Sequence, residues 1–388
     1  WFKHAFDIFW LELLPITSSF GCGCACRFGD LQGLESAMRL TLTSFGEELA
    51  TLDADPAWQV QDVLVTLPER FRETRYSVRV FFGAVELSGE STLSDIGVVS
   101  GTVLTIVRSK LSLVLTASDD FTARIWSVAD GACLQTLIAH QDKVMSAVFS
   151  ADGERVVTAS VDMLANIWCA ASGAVLQTLT DHGGFVKSAV FSAGDERVLT
   201  ASGDGSAKIW CAASGECMQT LTGHNGTAMC AVFSADGEQV LTASADRSAK
   251  IWCVASGACL QTLTGHDGTL MSAVFSADGA KVLTASADRS AKIWFAASGA
   301  VLRTLTGHDG MVMSAVFSAD GERVVTASVD MLANIWCAAS GAVLQTLTGH
   351  FDSFISAVFS ADGERVLTAS ADRSAKIWSA ASGECLQT

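Results

Sequence analysis

The dipeptide Ile-Trp returns every 42 residues, ending at Trp126, Trp168, Trp210, Trp252, Trp294, Trp336 and Trp378. Histidine keeps the same register at His140, His182, His224, His266, His308 and His350. Residues 146–180 and 314–348 are identical over 35 positions, four periods apart. Chance does not produce this. A chain so built consists of copies of one supersecondary unit, and since no copy buries its apolar face alone, the copies must pack on one another.

Each unit reads as four short strands. In the unit that contains Trp168, residues 146–150 are an apolar run, and Asp152-Gly153 is a hairpin signal whose twist suits the flanking strands. Residues 155–160 and 164–169 are the next two strands, and Ser172-Gly173 turns the chain into 174–180. Frequent glycine turns and only 3 prolines in the chain suit radially repeated sheets. Paired helices would show a period of about 3.6 over ten or more residues, and none does.

Over residues 111–388 these units resemble WD40 repeats. The resemblance implies a mainly β fold, a seven-bladed β-propeller of seven 42-residue units with the first and last incomplete. In that family a loop His, a strand Thr or Ser, a turn Asp and the Trp form a hydrogen-bonded tetrad. The matching sets here are His140, Thr158, Asp162 and Trp168; His182, Thr200, Asp204 and Trp210; His224, Thr242, Asp246 and Trp252; His266, Thr284, Asp288 and Trp294; His308, Thr326, Asp330 and Trp336; and His350, Thr368, Asp372 and Trp378. A buried Asp or His needs partners and an indole N–H can only donate, so a closed chain of donors and acceptors satisfies all four groups. Six unchanged recurrences favour this structural role over a ring of metal or catalytic sites. The residue after each Trp is Cys, Ser or Phe, not the Asp that names the family. The first unit has Thr116, Asp120 and Trp126 but carries Val98 where its histidine would stand, which marks it as the weakest seam.

Residues 37–109 lack the period. A hairpin (38–43 returning through 49–52), a short helix with Trp58, Val60, Val63 and Leu64, a strand at 78–82 and a closing strand at 103–108 follow one another. The order, and the run R-V-F-F-G-A-V-E-L, T-L-S-D-I-G, G-T-V-L-T-I-V-R within 79–108, resemble the ubiquitin-like (β-grasp) fold, a small α+β domain. The resemblance places Phe81 and Val107, with Thr105 beside them, on ubiquitin's apolar recognition face. Val85 and Ser100 stand where ubiquitin has its two main chain-linking lysines, and the chain continues Ser109-Lys110-Leu111 without a Gly-Gly end. A built-in module fits this better than a modifier. Residues 104–108 also lie 42 residues before 146–150, so two domains compete for one strand; it is assigned to the ubiquitin-like domain.

The net charge of −16 repels phosphate backbones and anionic lipid, so neither nucleic acid nor membrane is an expected partner. Of the 12 cysteines, those at 133, 217, 259 and 385 alternate with valine in other units, and those at 169, 211, 253 and 337 with Ser or Phe. A position that accepts Val for Cys suggests packing of a small apolar group, and the expected compartment is cytoplasmic, or nuclear as well. Residues 1–36 read as a leader, disordered or mis-assigned. Its Cys22, Cys24 and Cys26 lack a fourth metal ligand.

Variation among the copies shows where function is written. The turns 151–154 and 170–173 barely change; variation gathers after the histidine and after the tetrad Asp, loops that in the family share the opposite, top face. Three residues past the histidines stand Lys143, Phe185, Thr227, Thr269, Met311 and Ser353, expected exposed; the next residues, Val144 to Phe354, are expected buried. Phe121, Met163, Arg247, Arg289, Phe351 and Arg373 are the candidate partner-binding residues, because Arg, Phe and Met are enriched in interface cores. Near-identical units do not supply the asymmetric acid, base and nucleophile that catalysis needs. No catalytic residue, cofactor or metal is assigned, and a propeller enzyme remains a remote alternative. The expected function is a protein-binding scaffold or adaptor whose ubiquitin-like domain docks on ubiquitin-pathway or proteasomal machinery, with a plain assembly scaffold as the alternative.

Overall fold

A computed structural model describes residues 38–44, 47–67, 76–83, 85–87, 92–110, 112–128 and 130–388. The leader with Cys22, Cys24 and Cys26 lies outside the described residues. The chain divides into two compact units after Ser112.

In the first unit, β1 (Met38–Ser44), β2 (Glu47–Ala54), α1 (Val60–Thr66), β3 (Tyr76–Phe82), β4 (Val85–Leu87) and β5 (Val103–Lys110) follow in sequence. The sheet order is β2-β1-β5-β3-β4, with β5 parallel to β1 and the other pairs antiparallel. Alternation sends Leu40, Leu42, Val80, Leu104 and Ile106 inward, where they meet Val63 of α1. The helix begins in a capping box: the Gln59 N–H donates to Asp62 Oδ2 at 2.8 Å. Residues 104–108 therefore belong to this sheet, and Val98 is buried in this core.

The second unit opens with a three-stranded sheet, β6 (Leu113–Ala117), β7 (Thr122–Ser127) and β8 (Cys133–Ile138). Next comes a four-stranded sheet of β9 (Val144–Phe149), β10 (Arg155–Ser160), β11 (Ala165–Cys169) and β12 (Val175–Leu179). Five more antiparallel four-stranded sheets repeat it, with leading strands Val186–Phe191, Ala228–Phe233, Leu270–Phe275, Val312–Phe317 and Phe354–Phe359. Each leading strand touches the next, which places these strands inside, whereas β12 and its counterparts are largely exposed.

The cores lie between sheets. Trp168 packs on Leu115, Ile125 and Leu137 of the preceding sheet, and Trp210 on Val157, Ile167 and Leu179. The same joint recurs along the array to Trp378. Large aromatic area buried across each joint is the main stabilising term. The two inner-end turns are tied together, Ala170 N–H donating to Glu154 O at 2.8 Å, with equivalents through Ala380 and Glu364. Gly153 and Gly173 take φ of 72° and 69° there, which explains why these turns tolerate little change.

Two readings of the sequence need correction. The Cys/Val positions are not apolar packing sites: Cys133, Cys259, Cys385 and Val175 are exposed, because they open the outermost strand of each sheet. The nine described cysteines are free thiols. Thr227, Thr269 and Ser353 are half-buried, not exposed, because the neighbouring loop bonds to their carbonyls.

Candidate protein-binding face

The polar side chains that organise this face form a one-way relay. In the fourth sheet Trp252 Nε1–H donates to Thr242 Oγ1 at 2.9 Å, and Thr242 Oγ1 lies 2.7 Å from His224 Nε2. His224 Nδ1 lies 2.8 Å from Asp246 Oδ2, and a carboxylate only accepts, so the proton sits on Nδ1 and the threonine hydroxyl donates to Nε2. The Asn225 and Ser248 N–H groups complete the aspartate's shell at 3.0 and 2.9 Å. All six complete sets are brought together alike, with Trp–Thr at 2.8–2.9 Å, His–Thr at 2.7–2.9 Å and His–Asp at 2.6–3.1 Å.

Burial opposes charge on Asp204 and Asp246, yet the Ser206 and Ser248 hydroxyls, backbone N–H groups and imidazoles outweigh it and hold both carboxyls at about 2. Burial pushes His182, His224 and His266 below the ordinary imidazole value against the pull of their aspartates. That agrees with the neutral tautomer the geometry requires. The histidine side chains are 0–1% exposed and fully engaged, so these His–Asp pairs have no access to a substrate.

In the first sheet Trp126 Nε1–H donates to Thr116 Oγ1 at 2.9 Å, but no histidine follows. Asp120 instead accepts from the Thr122 hydroxyl at 2.6 Å and from Arg124 Nη2 at 2.8 Å. A local Arg thus replaces the missing relay.

The relay aspartate fixes the turn that bears the variable residue. Its other oxygen accepts the N–H two residues on, as Asp246 Oδ1 does from Ser248 and Asp162 Oδ1 from Leu164. The residue between is forced into the left-handed region: Phe121 (φ 71°), Met163 (70°), Gly205 (84°), Arg247 (70°), Arg289 (71°), Met331 (64°) and Arg373 (69°). Only one of the seven is glycine. A non-glycine residue costs about 1–2 kcal/mol in that region, and all six non-glycine side chains here are exposed.

The post-histidine loop lies in the same layer. The N–H groups of Val161, Gly203, Ala245, Ala287, Val329 and Ala371 donate to the carbonyls of Lys143, Phe185, Thr227, Thr269, Met311 and Ser353. Phe185 lies over Gly203, where any Cβ would come within 2.6 Å of the ring. Phe351 is 90% exposed. Val144, Val186, Ala228, Leu270, Val312 and Phe354 beneath are buried.

A cavity of about 400 Å³ opens at this end, lined among others by Asp119, Lys143, Met145, Met313, Phe354 and Ile355. Lys143 Nζ bonds Asp119 Oδ2 at 2.9 Å. Residues of the first, second, sixth and seventh sheets thus share one space. Met145, Lys187, Met229, Met271, Met313 and Ile355 occupy one register on the six leading strands. Sequence reading missed both this register and the left-handed turns; the signal for the former was the one variable place in an otherwise constant strand.

In the smaller unit, Phe81 is half-buried opposite Thr105, with the Arg79 guanidinium 5.6 Å from its ring centroid. Val107 pairs with Arg79 through the backbone, and its side chain lies outside the described residues.

A comparison with curated proteins returns no match. The family described as WD domain, G-beta repeat matches six times, at residues 131–169, 173–211, 215–253, 257–294, 299–337 and 341–379. Each match spans the outer strand of one sheet and the first three strands of the next. With the matches covering more than half of its length and a relay-bonded sheet in each, the chain belongs to the WD40 repeat family.

Proposed function

We propose that this protein is a non-catalytic interaction scaffold: its seven sheets act as the blades of one closed propeller, and its left-handed turns grip a protein partner. The observation that carries the reading is the set of seven equivalent strained positions of which six hold exposed Phe, Met or Arg in place of the glycine that backbone energetics favour. Drift among copies would relax toward Gly or Asn at such sites, whereas a binding role supplies a reason to keep bulky side chains there. Phe121, Met163, Arg247, Arg289, Phe351 and Arg373 form the contact set, and the half-buried methionines of the leading strands offer an adaptable floor. Closure is supported by the shared cavity. The test is R247E/R289E in the full chain, with partners captured by cross-linking and identified by mass spectrometry. Loss of wild-type partners with unchanged unfolding supports the interface; an unchanged partner set refutes it.

The sheet order β2-β1-β5-β3-β4 with α1 packed on it supports a ubiquitin-like reading of residues 37–109. On that reading the module docks on ubiquitin-pathway or proteasomal proteins through the Phe81 face, and the whole is an adaptor working in the cytosol or nucleus. F81D should remove those proteins from the captured set while the propeller's partners stay. Their absence from the wild-type set as well would leave a plain assembly scaffold.

A further inference from the structure

β6 is the inner edge of the first sheet: among the described residues it pairs with β7 alone. In each of the other six sheets a leading strand covers that edge. These six strands share one pattern, an apolar residue, a variable one, Ser or Cys, then Ala-Val-Phe. Their alanines, from Ala147 to Ala357, are 0–7% exposed.

The uncovered edge shows in burial on both sides. From β10 onward the second strand of the next sheets is buried over its last five residues, whereas in β6 only Leu115 is buried. Trp126 is half-buried, while the other six tryptophans are at most 2% exposed. On the seventh sheet Leu367, Ala375 and Ile377 are half-buried, although their counterparts in the five preceding sheets are fully buried. Six inter-sheet cores exist among the described residues, and none joins the seventh sheet to the first. Asp119 and Phe354 line one cavity, so the two sheets face each other across this seam.

The chain's own residues at the expected register, 102–107, do not fill the place. They pair with β1 and β3 in the other unit, and Thr105 would stand where all six leading strands have Ala. A buried hydroxyl and an extra methyl at a closely packed alanine site are both unfavourable.

We propose that the seam between the first and seventh sheets is an acceptor groove for one extended strand from a partner polypeptide, carrying the apolar-x-Ser-Ala-Val-Phe pattern. The strand adds antiparallel to β6, its Ala opposite Thr116 as Ala147 is opposite Thr158. Unpaired edge N–H and C=O groups supply backbone affinity, and the apolar walls select the side chains. The occupant's chemistry follows from six filled copies of the same place in this molecule.

The test adds a synthetic peptide with the sequence of residues 141–152 to the full chain, with an Ala147→Pro version and a scrambled one as controls. Saturable binding should slow amide exchange across β6 by about tenfold at peptide concentrations near ten times Kd, and the controls should not. Three results would overturn the proposal: no binding, protection away from β6, or β6 amides already as slow as those of β10 without peptide. Protection of β6 that grows with protein concentration alone would overturn it too, by making a second copy the occupant.

Discussion

Replacing Thr242 with valine keeps shape and volume and removes one hydroxyl, so it isolates the relay. Thr242 is 1% exposed, accepts from Trp252 Nε1 at 2.9 Å and bonds His224 Nε2 at 2.7 Å. Valine strands an indole donor and an imidazole acceptor in a dry joint, at about 1–3 kcal/mol each, so a loss of about 3 kcal/mol is expected. Thr116→Val is the internal control. Thr116 holds Trp126 alone and is half-buried, so water can replace the hydroxyl and the loss should be about 1 kcal/mol. Because an array of repeated sheets need not unfold in one step, local opening by amide exchange is the better assay. A difference of about 2 kcal/mol makes opening of the fourth sheet respond about thirtyfold more than that of the first. Equal costs for the two variants, or a loss below about 0.5 kcal/mol at Thr242, would refute the argument that paired burial gives the relay its strength.

Asp204 and Asp246 have folded-state values near 2 against an ordinary 3.8, so their stabilisation is present above pH 3.8 and lost as pH falls toward 2. After allowance for solvent screening each contributes about 1–2 kcal/mol, and D246N should flatten the acid limb of a stability–pH curve. His182, His224 and His266 are also lowered, so stability should begin to decline once pH falls below 6.5, ahead of the carboxylate limb; a flat curve from pH 7 to 5 would count against neutral histidines. Arg247→Gly relieves the left-handed backbone and should raise stability by about 1 kcal/mol in thermal unfolding while weakening partner capture, with Gly205 as the natural precedent. Burial lifts the Cys230 thiol to about 11, and its sulfur receives the Ala273 N–H at 3.3 Å, so alkylation at pH 8 followed by mass spectrometry should find Cys259 modified early and Cys230 last.

Strand positions and the relay were legible because they are local and repeated. Period-2 alternation and Asp-Gly turns specify hairpins over a few residues, and a polar quartet that recurs with the same spacing has few ways to be buried. What was not legible depends on neighbours. The exposure of Cys133 follows from its strand being outermost, a property of the sheet and not of the residue. The half-burial of Thr227 follows from the Ala245 N–H on its carbonyl. The inversion of Gly and Asp at 194–195 passed unread, yet it puts Asp195 at φ 59° with its carboxylate accepting the Ala151 and Asp152 N–H groups of the preceding sheet at 2.8 and 3.0 Å. That contact joins two sheets, so no single unit contains the information.

The relay also explains why variation is tolerated where it is. One oxygen of each aspartate closes the relay and the other pins the N–H two residues on, so the intervening backbone is held in shape whichever side chain it bears. Six repeats can then differ at that residue without disturbing their cores, and differences between them can be selected for contact alone. The first sheet reaches the same turn without a histidine, by an Arg124–Asp120 pair, and Phe121 still sits at φ 71°. An exposed ion pair contributes little to stability, so this substitute holds the turn more weakly than the buried relay does. The weakest turn, the half-buried Trp126 and the uncovered edge of β6 therefore fall on one sheet. Conformational change in this array should begin there, and a strand that covered β6 would stiffen that sheet, including the turn that presents Phe121.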